Sequence, residues 1–438
     1  MKLFFGFCFS ILFLSNSFSE PIITIDSTQN YQTISGWEAT AEAGQLFPAF
    51  PFYKNVLFDR VVNDLGINRL RVEIASSSEN PVDFFHASGS DEEHHDIVND
   101  NSDPFRINPK GFHFSSLDNK MDTIVLPIAR RLRARGEKLF LNVTYKDFGT
   151  SGFEHKNHPE EYAEFVLATY LHMRRKYQVV PDAWEVILEP DNASWSAEEI
   201  GACVLAAAKR LESYHFRPQF ILPSASKMST SLAYFERIMR FPGIRPYVYE
   251  FSYHRYNGVS NKTLRTIAKQ ADSFRMRTAM LEHIGSGYED LHRDLKMGSV
   301  SSWQQYTLAF PGTEDTGGKY YLLDVTNPQS PVVLTAPRTN YLQQYFHYIR
   351  RGAIRIGATT TSAEFNPVAF INKNRRYVAV VKVAHGGKFS LFGLPAGKYG
   401  ITYTTSSEAA ASLPDIATRS GTISTRIPSR GVITIFQK

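Results

Sequence analysis

Two glutamates in this sequence directly follow short apolar runs, a placement that can turn a carboxylate into a reagent. The first is Glu189, in W-E-V-I-L-E-P-D-N-A-S-W from Trp184 to Trp195; the second is Glu282, in A-M-L-E-H from Ala279. Val186, Ile187 and Leu188 predict a strand that must stop at Glu189-Pro190, because proline has no N–H to give to a sheet ladder. Thr278 to Leu281 predict another, ending on Glu282. In a closed parallel barrel, the carboxyl ends of the strands are where chemistry collects. Two carboxylates meeting there can divide one reaction, one attacking carbon while the other donates and then withdraws a proton. Set about 5 Å apart across an anomeric carbon, such a pair cleaves a glycosidic bond with retention, whereas a wider gap admits water and gives inversion. The alternative is that both are structural, with Glu189 capping the helix predicted to begin near Ser196.

Delivering both groups to one rim requires a repeating scaffold, and the chain predicts one. Strands are expected at Thr33 to Trp37, Ile67 to Ile74, Leu139 to Tyr145, the run ending at Glu189, Phe220 to Leu222, Val248 to Tyr253, Thr278 to Leu281 and Val300 to Trp303. Helical stripes fall between most of them. Met121, Ile124, Val125, Ile128 and Leu132 share one face, as do Tyr162, Phe165, Val166, Thr169 and Met173. Eight such units predict an α/β fold, a (β/α)8 TIM barrel over residues 33–353 with its helices outside. From residue 354 to 438 the pattern changes to alternating runs such as Tyr377 to Val381 and Gly431 to Phe436, broken by glycine turns. These predict an antiparallel β-sandwich, which the isolated strand within residues 20–32 is expected to join. The polar stretch Ala75 to Ser116 is too long for a simple connection and is expected to wall or cover a cleft.

Composition narrows the class. With 438 residues, 43% hydrophobic and 21% charged, the chain can bury a large core. Residues 1–19, with Lys2, an apolar run and Ser17-Phe18-Ser19, are expected to be a cleaved signal peptide, which predicts a secreted protein, extracellular or periplasmic; a retained anchor is the competing expectation. Cleavage removes Cys8 and leaves Cys203 alone on a predicted helix, as a small buried side chain. The net charge of +5 is too mild to argue for nucleic acid, and the dense run Arg130 to Arg135 closes a helix whose dipole favours cations there. No integral membrane segment is expected after signal cleavage, and the chain is expected to be a monomer.

At this point the chain resembles the large clan of retaining glycosidases built on eight-stranded barrels, and within it glycoside hydrolase family 30, which includes glucosylceramidases, endo-xylanases and β-1,6-glucanases. The resemblance rests on G-W-E-A-T-A-E-A at Gly36, R-L-R-V at Arg69, F-S-Y-H-R-Y-N-G at Phe251, A-M-L-E-H at Ala279, Y-F-H-Y-I-R-R-G-A-I-R-I at Tyr345 and S-R-G-V-I-T-I-F at Ser429. It implies Glu189 as general acid/base and Glu282 as nucleophile, with an oligosaccharide, polysaccharide or glycoconjugate as substrate and neither cofactor nor metal. Arg71 and Tyr256 would hydrogen-bond the nucleophile, keeping it ionised and oriented. His254 would lie beside them or be a satisfied core histidine. Trp303 resembles the aromatic floor of the sugar site, although a tryptophan at a barrel rim is also a common core residue. Trp37, Tyr145 and Glu42 are further candidates for the same pocket.

One position departs from the clan. The residue before the acid/base is usually an asparagine that bonds the sugar's 2-hydroxyl, and here it is Leu188. Three explanations follow: a substrate altered at its 2-position, a substitute donor such as Asn142, or a catalytically silent carbohydrate-binding relative. An inverting or lyase-type enzyme is a further alternative. The acidic run Asp91 to Asp96, with His94 and His95, has side chains that bind metals, but in a spacing that fits a solvated loop better. Asn142, Asn192 and Asn261 each begin a glycosylation triplet.

Overall fold

Short runs rich in branched and aromatic residues set the strands, and their two-residue period decides what faces into the barrel. The computed structural model describes residues 20–89, 96–149 and 152–438. The expected signal peptide, and Asp91 to His95 of the acidic run, lie outside the described residues.

Strand β1 (Ile22–Thr33) precedes a ring built from β2 (Gly36–Thr40), β3 (Arg69–Ala75), β4 (Phe140–Lys146), β5 (Ala183–Glu185), β6 (Phe220–Pro223), β7 (Val248–His254), β8 (Arg277–Glu282) and β9 (Val300–Trp303). Each ring strand pairs in parallel with the next. Strand β9 returns to β2 through Gly36 opposite Ser302 and Trp37 opposite Trp303, closing an eight-stranded barrel. Gly36 has φ 138°, and a Cβ there would meet Asn68 Oδ1 at 2.5 Å, so the closing seam needs a glycine.

On β3, alternation puts Leu70, Val72 and Ile74 into the main core shared with the surrounding helices. Arg69, Arg71 and Glu73 take the opposite face. Arg69 meets Glu38 at 2.5 Å and grips both oxygens of Glu250 at 2.9 Å, with its guanidinium 4.2 Å from the Phe140 ring. This fully buried network fills the ring near its amino-terminal end, leaving Arg71 and Glu73 nearer the rim.

Three details differ from expectation. Strand β5 stops at Glu185, so Glu189 lies on the chain beyond it; Val186 and Leu188 still donate single bonds to Ile221 and Tyr145, at 3.2 and 2.9 Å, without forming a ladder. Thr33 belongs to β1, and β2 begins at Gly36. Strands β10 (Thr307–Pro311), β11 (Lys319–Asp324) and β12 (Val332–Thr335) were not expected; they extend the sheet outward from β2.

The remaining strands are β13 (Ile354–Thr360), β14 (Phe365–Ile371), β15 (Tyr377–Val383), β16 (Gly387–Phe392), β17 (Gly397–Thr405), β18 (Ala411–Thr418), β19 (Ile423–Ile427) and β20 (Gly431–Gln437). With β1 they form a mixed, mostly antiparallel nine-stranded β-domain, in which β1 lies antiparallel to β13 and parallel to β16. Ile23, Ile25, Phe389 and Ile433 build its own core, while Val368, Phe370, Val380 and Val432 belong to the core of the barrel. The polar stretch after β3 folds into a turn at Ser76–Ser78, a helix at Phe84–Ser88 and a turn at Pro109–Gly111. Among the described residues no helix is long and apolar enough to cross a membrane.

Candidate active site

The carboxyl-terminal ends of β7 and β8 and the chain beyond β5 bring Glu189, His254 and Glu282 together, with one side-chain ligand atom of each within 4.8 Å of the others. Glu189 has φ 48°, a left-handed conformation that is uncommon for a residue with a side chain. It does not cap the following helix. Ser196 does, in a capping box completed by Glu199.

Each oxygen of each glutamate has a donor. Glu282 accepts from Arg71 at 2.5 Å on Oε2 and from the Tyr256 hydroxyl at 2.9 Å on Oε1. Glu189 accepts from His254 Nδ1 at 2.8 Å on Oε1 and from the Asn192 amide at 2.6 Å on Oε2. Arg71 is fully buried. Desolvation opposes its charge, but Glu282, Glu185 and Glu73 outweigh it and hold the pKa well above the ordinary value. Burial and the charge of Glu282 likewise push Tyr256 up, so its hydroxyl stays a donor.

The second pair is balanced differently. Burial raises the Glu189 carboxyl, but the hydrogen bond and charge of His254, with Asn192 and Arg71, overcome it and hold the group below its ordinary value. Burial disfavours charge on His254, yet the hydrogen bond to Glu189 and the charges of Glu282 and Glu189 raise it. The two shifts in opposite directions favour an imidazolium–carboxylate pair across the 2.8 Å Nδ1 to Oε1 contact. The three groups have a spacing that a metal ion accepts, but Arg71 already supplies the positive charge, and both Glu282 oxygens are engaged by donors.

Trp303, Trp37, Tyr145 and Asn142 lie away from the two glutamates, whereas the charge of Glu42 reaches Tyr306, whose ring neighbours Arg71. Trp303 is fully buried, its indole donating to Asp294 at 3.0 Å, and Trp37 stacks on Phe346 at 4.4 Å; both fill the core between barrel and helices. Tyr145 is fully buried against Tyr162, Phe165 and Trp195, its hydroxyl on His155 at 2.8 Å. Asn142 sits inside the ring, both amide hydrogens engaged by Glu38 at 3.0 Å and Glu185 at 2.9 Å, so none is left for a sugar hydroxyl. Glu42 pairs with Lys120 at 3.1 Å. Two neighbours of the site were not expected: Asn192, and Tyr306, whose ring lies 5.9 Å from the Arg71 guanidinium. Both stand in irregular chain, where no periodicity marks them, although Asn192 follows Glu189 by three residues.

The sequence matches no protein-family model and no curated protein. Solved structures do match across nearly the whole chain. The catalytic domain of a family 30 xylanase from Talaromyces cellulolyticus superposes with a TM-score of 0.69 at 13% identity, covering 95% of this chain and 100% of that one. A family 30 subfamily 8 xylanase from Clostridium acetobutylicum gives 0.69 at 17%, with 94% and 98% covered. An endo-β1,6-glucanase gives 0.67 at 14%, with 96% of each. The chain thus has the barrel-plus-β-domain fold found in enzymes of glycoside hydrolase family 30.

Proposed function

We propose that the protein is a retaining glycoside hydrolase that cleaves a β-glycosidic bond by double displacement. The observation that carries this is the approach of Glu189 and Glu282 to within 4.8 Å, a separation that favours a covalent intermediate over a water held between the carboxylates. Glu282 attacks the anomeric carbon, its lone pairs oriented by Arg71 and Tyr256. Glu189 passes a proton from the His254 imidazolium, 2.8 Å away, to the departing oxygen, and then takes a proton from the water that hydrolyses the glycosyl ester and returns it to His254. Residues 1–19 are a signal peptide in this scheme, and the enzyme acts outside the cytoplasm on a β-linked glycan or glycoconjugate.

Incubation with activated 2-fluoro glycosides, followed by mass spectrometry of peptides, tests the assignment. The expected result is a covalent sugar on Glu282. Sugar binding without label or turnover across a panel of β-xylosides and β-glucosides would establish the silent relative instead. Leu188 favours that second reading, because it is 7% exposed and offers no donor where the clan has an amide.

A further inference from the structure

Away from the catalytic pair, the segment following β3 lies against the helix Pro159–Tyr177 and brings a second group of acids together. One oxygen each of Asp100, Glu161 and Glu164 lies within 4.8 Å of the others. Glu164 is 1% exposed and Glu161 7%. Both oxygens of Glu164, Oε2 of Glu161 and Oδ1 of Asp100 are buried without a hydrogen-bond partner, as is Oδ1 of Asn99, whose amide nitrogen reaches Glu161 at 3.3 Å.

Burying several carboxylate oxygens without partners is strongly unfavourable unless a cation joins them or a proton neutralises one, and burial with the neighbouring Asp100 and Glu161 pushes the Glu164 carboxyl up, so the cluster draws in positive charge in one form or the other. The basic side chains of this region have other partners. His155 bonds Glu79 at 2.9 Å, and Arg210 bonds Glu160 and the Pro104 carbonyl. Among the described residues no ion pair reaches Asp100, Glu161 or Glu164.

We propose that Asp100, Glu161 and Glu164 form a calcium site that pins the segment after β3 to the helix Pro159–Tyr177. The donors are all oxygens, which excludes the nitrogen and sulfur preferences of zinc. Oxygens bound to one calcium at about 2.3–2.6 Å lie no more than roughly 5 Å apart, which the cluster satisfies. Magnesium keeps much of its water and takes one or two carboxylates, whereas three carboxylates from a helix and an irregular segment suit the larger, less directional ion. Glu161 and Glu164 stand three apart, on neighbouring positions of one helix face, and Asp100 is positioned by Glu79 and Asn108 on the opposing segment.

The test uses the full chain stripped with a chelator at slightly alkaline pH. Calcium is expected to be retained at about one per chain in equilibrium dialysis and to raise the melting temperature by a few degrees in a saturable way, with magnesium much weaker. Glu164→Gln should abolish both responses, while Glu189→Gln should keep them. Failure to retain calcium at millimolar concentration, with an unchanged melting temperature, would overturn the site and point to carboxyls that share a proton. So would an E164Q protein that binds calcium as the parent does, or a response lost in E189Q.

Discussion

Glu189 and His254 form an ion pair, and the pH dependence of the protein should report it. Glu189 is held below its ordinary 4.5 and His254 above its ordinary 6.5. Their mutual stabilisation is therefore complete between those values, lost as pH falls through the depressed Glu189 pKa and lost as pH rises through the raised His254 pKa. Replacing His254 by Gln should cost most stability from pH 4.5 to 6.5 and progressively less on either side, measured by urea melts across pH. A uniform loss would remove the ion pair from the account. Glu189→Gln should lower kcat/KM by about 10²- to 10⁴-fold on substrates with poor leaving groups, and by less on activated aryl glycosides that depart without a proton. At this scale five of the residues singled out in the sequence lie together at the rim, while Trp303, Trp37 and Tyr145 lie in the core. Glu189, Glu282, Arg71, His254 and Tyr256 converge because each ends or closely follows a ring strand or lies on its inward face. Trp303 also ends a strand, but its indole turns toward Asp294 on the helix Tyr288–Met297, and residue type alone does not say which side of a barrel wall a tryptophan chooses.

Among the elements, β3 carries the greatest burden, with three charged side chains facing inward. Arg69 supplies the single positive charge that Glu38 and Glu250 share in full burial, so Arg69→Met would leave both carboxyls without a cation and is expected to cost about 3–5 kcal/mol in chemical denaturation. KM for any accepted glycoside should change little in whatever fraction stays folded, because Arg69 does not reach the rim. The I-N-R-L-R-V-E-I alternation made this strand plain in the sequence. Strand β5 was less so, because Val186 to Leu188 has the composition of a strand while the chain there makes only isolated bonds to either neighbour. Strands β10 to β12 were missed because β10 touches the ring through a single pair, Thr307 with Thr40, and its surroundings follow no βα rhythm.

At the scale of the whole molecule, barrel and β-domain share a core. Tyr348 stacks on Phe436 at 4.5 Å, and Gln344 bonds Thr404 at 3.1 Å across their junction. Thermal unfolding should therefore be one cooperative transition when followed by tryptophan fluorescence and by far-ultraviolet circular dichroism. Two separated transitions would show that the units melt independently. Ile23→Ala, which empties a fully buried position on β1, should lower stability by about 2–5 kcal/mol and leave turnover at the distant rim unchanged. The change from alternating βα units to short antiparallel runs made the two-part architecture visible in the sequence, whereas the order of strands in the second sheet depends on long-range pairings that local pattern does not encode.

The position of β1 has a consequence for biosynthesis. A ribosome makes this strand before the barrel, but its hydrogen-bonding partners β13 and β16 are translated only after the barrel is complete. Throughout elongation its edges stay unsatisfied, so a nascent chain stalled before residue 354 should be a good client for holding chaperones, and release from them should coincide with synthesis of the final strands.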